Sequence, residues 1–197
     1  MDMTPMVDLF SLLLTFFMLT TTFRPQEPVP VDTPFSISEK PTPDNNIMTL
    51  VISKDKGVYF NFDNGSDTSF HFRSKILEQM GAHYNVKFTP EQLQKFEKYN
   101  ASFGVPIQKV GEFIDAKDPN DRTAMQTGIP LDSADNQLAN WILYARTVNP
   151  NIKTLIKGDG QAEYPIVKKV LDILQDKNVN RYNLITNLEA VVVKKTE

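Results

Sequence analysis

Hydrophobic positions fall into three regimes along the chain. From Met6 to Phe23 apolar residues follow one another almost without a break, interrupted near the start by a single carboxylate, Asp8. From Arg24 to Asn46 (RPQEPVPVDTPFSISEKPTPDNN) apolar periodicity is lost, and six of the thirteen prolines lie there. From Ile47 onward apolar residues return at periods of two and of 3.6, the patterns of half-buried strands and amphipathic helices.

The eighteen residues of the first regime, at ~1.5 Å each, cover roughly 27 Å as a helix, close to the ~30 Å hydrocarbon core of a bilayer. A cleaved signal peptide would show a basic leader and a small-x-small cleavage site. The opening Met1-Asp2-Met3-Thr4-Pro5 and the exit Thr20-Thr21-Thr22-Phe23-Arg24-Pro25 show neither. A buried core helix is rarely followed by so long a Pro-rich stretch, so residues 1–23 are expected to form one membrane-spanning helix. Thr4, Asp8, Ser11, Thr15 and Thr22 share one face of that helix, while Phe10, Leu13, Leu14, Phe16 and Phe17 lie largely away from it. Ser and Thr can satisfy themselves on the carbonyl four residues back, which accounts for the hydroxyls but not for the carboxylate. An acid at mid-membrane costs about 2.5–3.5 kcal/mol, and such groups usually face a bundle interior or a water-filled path. Two roles are open to Asp8: a proton-carrying site, which is preferred, and a purely structural interhelical hydrogen bond. One helix cannot shield its own polar stripe, so partner helices are expected around it. A membrane potential contributes about 2.3 kcal/mol per charge per 100 mV, comparable to the burial cost, so a proton gradient could cycle such a group.

The Pro-rich stretch, 24–46, is expected to be an extended linker at about 3.1 Å per residue, holding a soluble domain off the membrane. Its Val29–Asp32 and Phe35–Ser38 pieces could instead add to a sheet as edge strands. Residues 47–197 then read as one domain. Ile47–Ser53 and Val58–Phe62 alternate around Lys54-Asp55-Lys56-Gly57 as a hairpin. Ser69–Ala82, with Phe70, Phe72, Ile76, Leu77 and Met80, reads as a helix. Thr89-Pro90-Glu91-Gln92 carries a helix start with cap, N1 proline and capping-box Gln, ahead of Leu93, Phe96 and Tyr99. The surrounding stretch, about 82–130, otherwise reads as an irregular insertion. Ser133 is expected to cap a helix through Leu138, Trp141, Ile142, Ala145 and Val148, stopped before Pro150. Ile152–Ile156 reads as a strand closed by Lys157-Gly158-Asp159-Gly160. Glu163–Lys177 reads as a helix with Tyr164, Val167, Val170, Leu171 and Leu174 inward, and Tyr182–Thr186 and Ala190–Val193 as short strands. The expected class is α+β: an N-terminal transmembrane helix, a Pro-rich linker and a two-layer domain.

Charge and composition narrow the chemistry. The 197 residues carry a net charge of −3 and no cysteine. That excludes disulfides and thiolate metal sites and offers no basic stripe for nucleic acid. His71 and His83 are the only histidines, and neither has metal-ligand spacing around it. The Asp63–Asp67 loop lacks calcium-ligand spacing, Gly158-Asp159-Gly160 lacks the Lys-Ser/Thr of a phosphate loop, and no serine sits in a Gly-x-Ser-x-Gly elbow. No cofactor or metal is expected, and the soluble part reads as a binding or scaffolding module, not an enzyme. Arg24 is the one cation near the span on its C-terminal side, so charge sets the orientation poorly; nothing basic precedes the span, which suggests that a cytoplasmic leader is missing.

The opening Asp2-Met3-Thr4-Pro5-Met6-Val7-Asp8-Leu9, continuing through Leu12-Leu13-Leu14-Thr15-Phe16-Phe17-Met18, resembles the membrane signature of the ExbD/TolR family. Gly158-Asp159, Tyr164, Val167, Val170, Leu171-Asp172, Leu174, Val179 and Leu184-Ile185-Thr186 resemble its strand–helix–strand unit. The resemblance implies a subunit of a proton-driven inner-membrane motor, single-pass, with a periplasmic C-terminal domain. It puts the protonatable acid at Asp8, with Thr15 and the neighbouring hydroxyls on the channel side. The implied partners are a second copy of the chain, a pentameric ring of an ExbB-like multi-span protein, and a TonB-like protein that energises outer-membrane receptors. A TolR-like envelope-integrity role shares the mechanism, and a membrane-anchored binding module for cell wall or protein is the alternative without a proton role. The stretch Ala82–Ile129 is longer than the usual family domain.

Overall fold

The computed structural model describes residues 4–20, 28–36, 45–63, 68–132, 135–185 and 187–188. Their elements, in chain order, are α1 (Thr4–Thr20), β1 (Phe35–Ser36), β2 (Ile47–Ile52), β3 (Val58–Phe62), α2 (Phe72–Tyr84), α3 (Pro90–Lys98), α4 (Val110–Asp115), α5 (Pro119–Met125), α6 (Gln137–Val148), β4 (Lys153–Gly158), α7 (Tyr164–Asp176), β5 (Tyr182–Ile185) and β6 (Asn187–Leu188). This is a mixed α+β fold. Four strands form a sheet in the order β3-β2-β4-β5, with β2 antiparallel to β3 and parallel to β4, and β4 parallel to β5. Leu50 sits opposite both Phe60 and Ile156, so one sheet face is a continuous apolar surface. Ile76, Leu77 and Met80 of α2, Phe96 of α3, Trp141 and Ile142 of α6, and Val170 and Leu174 of α7 join that surface in one buried core.

The hairpin forms where alternation placed it, with the Ser53 N–H donating to the Gly57 carbonyl at 3.0 Å. The α3 capping box is complete: Thr89 Oγ1 accepts from the Gln92 N–H and Gln92 Oε1 accepts from the Thr89 N–H. The α2 helix starts later than Ser69, because a short 3₁₀ turn (Thr68–Phe70) precedes it and His71 adopts a left-handed conformation at φ 50°. It runs on to Tyr84, where Asn85 at φ 55° supplies the left-handed C-cap. Asn136 caps α6 on the Ala139 N–H at 3.0 Å; Ser133 lies outside the described residues, as does the expected strand Ala190–Val193. Tyr164 does not face inward but is 73% exposed. The buried stripe of α7 runs through Val170, Ile173 and Leu174, which leaves Tyr164 at least ~80° around the helix from any of them at ~100° per residue.

Residues 82–130 are not an irregular insertion. They contain α3, α4 and α5, and Phe96, Phe103, Val105, Ile107, Val110, Phe113 and Ile129 all enter the core. They also occupy the otherwise open edge of β3: Phe103 exchanges both backbone hydrogen bonds with Phe60 (2.8 and 2.9 Å), and the Ile129 N–H donates to the Val58 carbonyl at 2.8 Å. An unpaired edge is a template for aggregation, and covering it removes that hazard. Phe60, Phe62, Phe96, Phe103 and Trp141 form an aromatic cluster with ring centroids 5.1–6.4 Å apart.

A buried arginine locks this arrangement. Arg73 of α2 is 1% exposed and lies between the Phe62 and Phe96 rings, 4.7 and 5.2 Å from their centroids. It donates to the carbonyls of Phe62 and Phe96 and to Asn61 Oδ1, so one guanidinium holds β3, α2 and α3 together. Burial pulls its pKa down to about 10, against the opposing charge of Glu97, and it stays charged at neutral pH. A second network crosses the same region. Buried Gln137 accepts from the Ile107 N–H (2.9 Å) and donates to Asp135, which accepts from the Tyr84 hydroxyl at 2.7 Å. Burial and then Asp135 push the Tyr84 phenol up to about 12, so it remains a donor.

Gly104 passes directly under the Tyr59 ring. A Cβ there would overlap that ring, 2.7 Å from Cε1, and lie 3.1 Å from Gly128 Cα. Gly104→Ala is therefore expected to lower stability by about 1–3 kcal/mol through overpacking. Gly158→Ala, with nothing within 4 Å of the added carbon, serves as the comparison. Denaturant unfolding followed by the fluorescence of Trp141, the sole tryptophan, reads the difference.

Candidate functional site

The helix α1, seventeen residues from Thr4 to Thr20, contains the described part of the first regime, Met6–Thr20. Every side chain from Met6 to Thr20 is exposed, including Leu14, Met18 and Leu19 at 70–87%. An apolar surface of that extent marks a membrane or protein interface. No helix among the described residues is long and apolar enough by itself to cross a membrane.

Asp8, Ser11 and Thr15 lie within about 60° of one another around α1, at ~100° per residue. Asp8 has no hydrogen-bond or ion-pair partner among the described residues. Thr15 Oγ1 donates to the carbonyls of Ser11 (2.8 Å) and Leu12 (2.9 Å), so its proton is held within the helix and its lone pairs face outward. Thr4 opens the helix, its side chain outside the described set, and Thr22 lies outside the described residues altogether. Thr20 belongs to the opposite face and back-bonds to Phe16 at 2.9 Å. The stripe therefore contains one carboxylate, flanked by the hydroxyl oxygens of Ser11 and Thr15.

The second candidate region is the turn after β4. The Pro-rich stretch is not wholly a free linker, because residues 28–36 of it meet the domain there. The Asp32 N–H donates to Asp159 Oδ2 at 3.3 Å, and the Gly160 N–H donates to the Asp32 carbonyl at 2.9 Å. Asp159 Oδ1 also accepts from the Gln161 N–H at 2.8 Å, which shapes the turn. Thr33 is buried, and β1 pairs in parallel with β6. Of the two expected edge strands, Phe35–Ser36 pairs with β6 in a separate two-stranded sheet, Ile37 and Ser38 lie outside the described residues, and Val29–Asp32 forms no strand; the Asp32 contact carried no sequence signal beyond a Gly-Asp-Gly turn. The histidines stand apart from both regions: His83 is exposed, and His71 Nδ1 lies 3.7 Å from Glu97 Oε1.

A family model described as biopolymer transport protein ExbD/TolR matches residues 1–189, which takes in both regions. The chain belongs to the ExbD/TolR family. No curated relative and no solved structure matches it. ExbD/TolR proteins are subunits of energy-transducing systems for biopolymer transport, generally anchored in the inner membrane. They work with ExbB/TolQ and TonB/TolA partners in membrane complexes.

Proposed function

We propose that this ExbD/TolR chain is the proton-carrying subunit of an inner-membrane motor, with Asp8 as the group that loads and releases protons. The observation that carries this reading is the placement of one carboxylate, beside hydroxyls, on a mostly apolar helix exposed from Met6 to Thr20. Such a helix has to be covered, and partner helices of an ExbB-like ring would cover it while leaving the Asp8 stripe facing a path between subunits. A membrane potential contributes about 2.3 kcal/mol per charge per 100 mV, comparable to the cost of holding an acid in the membrane, and so can drive such a cycle. The domain after the spacer carries the motion outward, as a dimer, to a TonB-like protein that drives outer-membrane transport. A TolR-like client would use the same chemistry. Proton flux into proteoliposomes holding the chain with its co-purified multi-span partner tests the reading. Potential-driven flux above that of partner alone supports it, and equal flux reduces the chain to an anchored binding module.

A further inference from the structure

We propose that the cleft between α3, α4 and α5 binds a small organic anion, a carboxylate or phosphate joined to a ring or short apolar body. The cleft has a volume of about 400 Å³, within the range of small-molecule sites. Its floor is apolar: Phe113 is buried and Tyr99 half-buried, their rings edge to face at 5.3 Å. Its rim carries four cations, Lys95, Lys98, Lys117 and Arg122, in a chain whose net charge is −3. The only carboxylate lining it, Asp115, is already engaged, accepting from Lys95 at 2.6 Å and Gln92 at 2.7 Å. Those two bonds hold Asp115 below the usual carboxylate range, so it stays an anion that neutralises Lys95 alone. Lys98, Lys117 and Arg122 have no carboxylate within ion-pair distance among the described residues.

The helix α5 shapes one side of the cleft. None of its residues is fully buried, and Met125 packs part-buried against the core. It is held by the Asp118 cap on the Asn120 N–H (2.8 Å) and by Arg122 Nε donating to the Ala116 carbonyl (2.8 Å). That second bond anchors the Arg122 side chain, which lines the cleft together with Tyr99. Cations at the rim and an aromatic floor suit a ligand with a charged head and a flat body. An extended polyanion would need a basic stripe, which this cleft does not provide.

Fluorine NMR of the full chain in detergent tests this, with fluorophenyl phosphate and fluorobenzoate as anionic probes and fluorobenzyl alcohol as the neutral one. At least one anion should bind, the neutral probe should not, and Lys98→Glu with Arg122→Glu should weaken binding about tenfold or more. The reversal Lys168→Glu with Lys169→Glu, at exposed positions on α7, should leave binding unchanged. Equal binding of the neutral probe, equal weakening by both double variants, or no anion bound at millimolar concentration overturns the proposal. Should the cleft variant fail to fold by Trp141 fluorescence, Lys117→Gln replaces it, with weaker binding in support and unchanged binding against. None of these readouts depends on proton flux, so the cleft and the motor reading stand or fall separately.

Discussion

Asp8→Asn is expected to bring potential-driven proton flux down to the level of the partner alone while the complex still co-purifies intact. Asparagine matches aspartate in size and keeps the side chain polar, so packing of the helix is disturbed as little as possible. What it cannot do is take up and release a proton. Asp8 is the one titratable side chain described on α1, and the neighbouring Thr15 hydroxyl is committed to main-chain carbonyls. No other described group on the stripe can replace it. Flux into proteoliposomes and detergent co-purification, measured on the same preparation, decide the matter. Retained flux removes Asp8 from the mechanism, and loss of the complex assigns it to assembly.

The largest effect on stability is expected at Arg73. Arg73→Ala removes the donors to Phe62, Phe96 and Asn61 and opens a void between two aromatic rings, all where water is excluded. Truncating a buried, hydrogen-bonded charge typically costs about 3–5 kcal/mol. Arg73→Met refills the volume without restoring the donors and should recover part of that loss. Guanidinium unfolding of the full chain in detergent reads the change through Trp141, whose ring lies 6.4 Å from Phe96 in the same cluster. A cost under about 1 kcal/mol for the alanine variant would show that Arg73 is not the staple described.

These two sites differ in how far the sequence revealed them. Asp8 stands out because its signal is local: a charge in an apolar run, with hydroxyls at helical spacing. The α3 capping box and the β2–β3 hairpin were legible for the same reason, each being written within a few consecutive residues. Arg73 reads as an ordinary helix cation, because its burial depends on Phe62 and Phe96 arriving from other elements. The stretch from Ala82 to Ile129 was opaque for a related reason. Its helices are short and its order comes from pairing Phe103 and Ile129 with β3, a non-local contact that no periodicity records. Tyr164 misled in the opposite direction, since it sits close to the helical repeat of α7 but beyond the stripe the core covers.

The contact between Asp32 and the Gly158–Gly160 turn turns the spacer into a leash with two settings. While Asp32 stays seated, twelve residue steps separate it from Thr20, a stretch of roughly 40 Å at most. Once it lets go, the slack runs to Ile47, and the same limit rises to roughly 90 Å. One main-chain hydrogen bond, one bond from the Asp32 N–H to the Asp159 carboxylate and a two-residue strand therefore decide how far the folded head can travel from the end of α1.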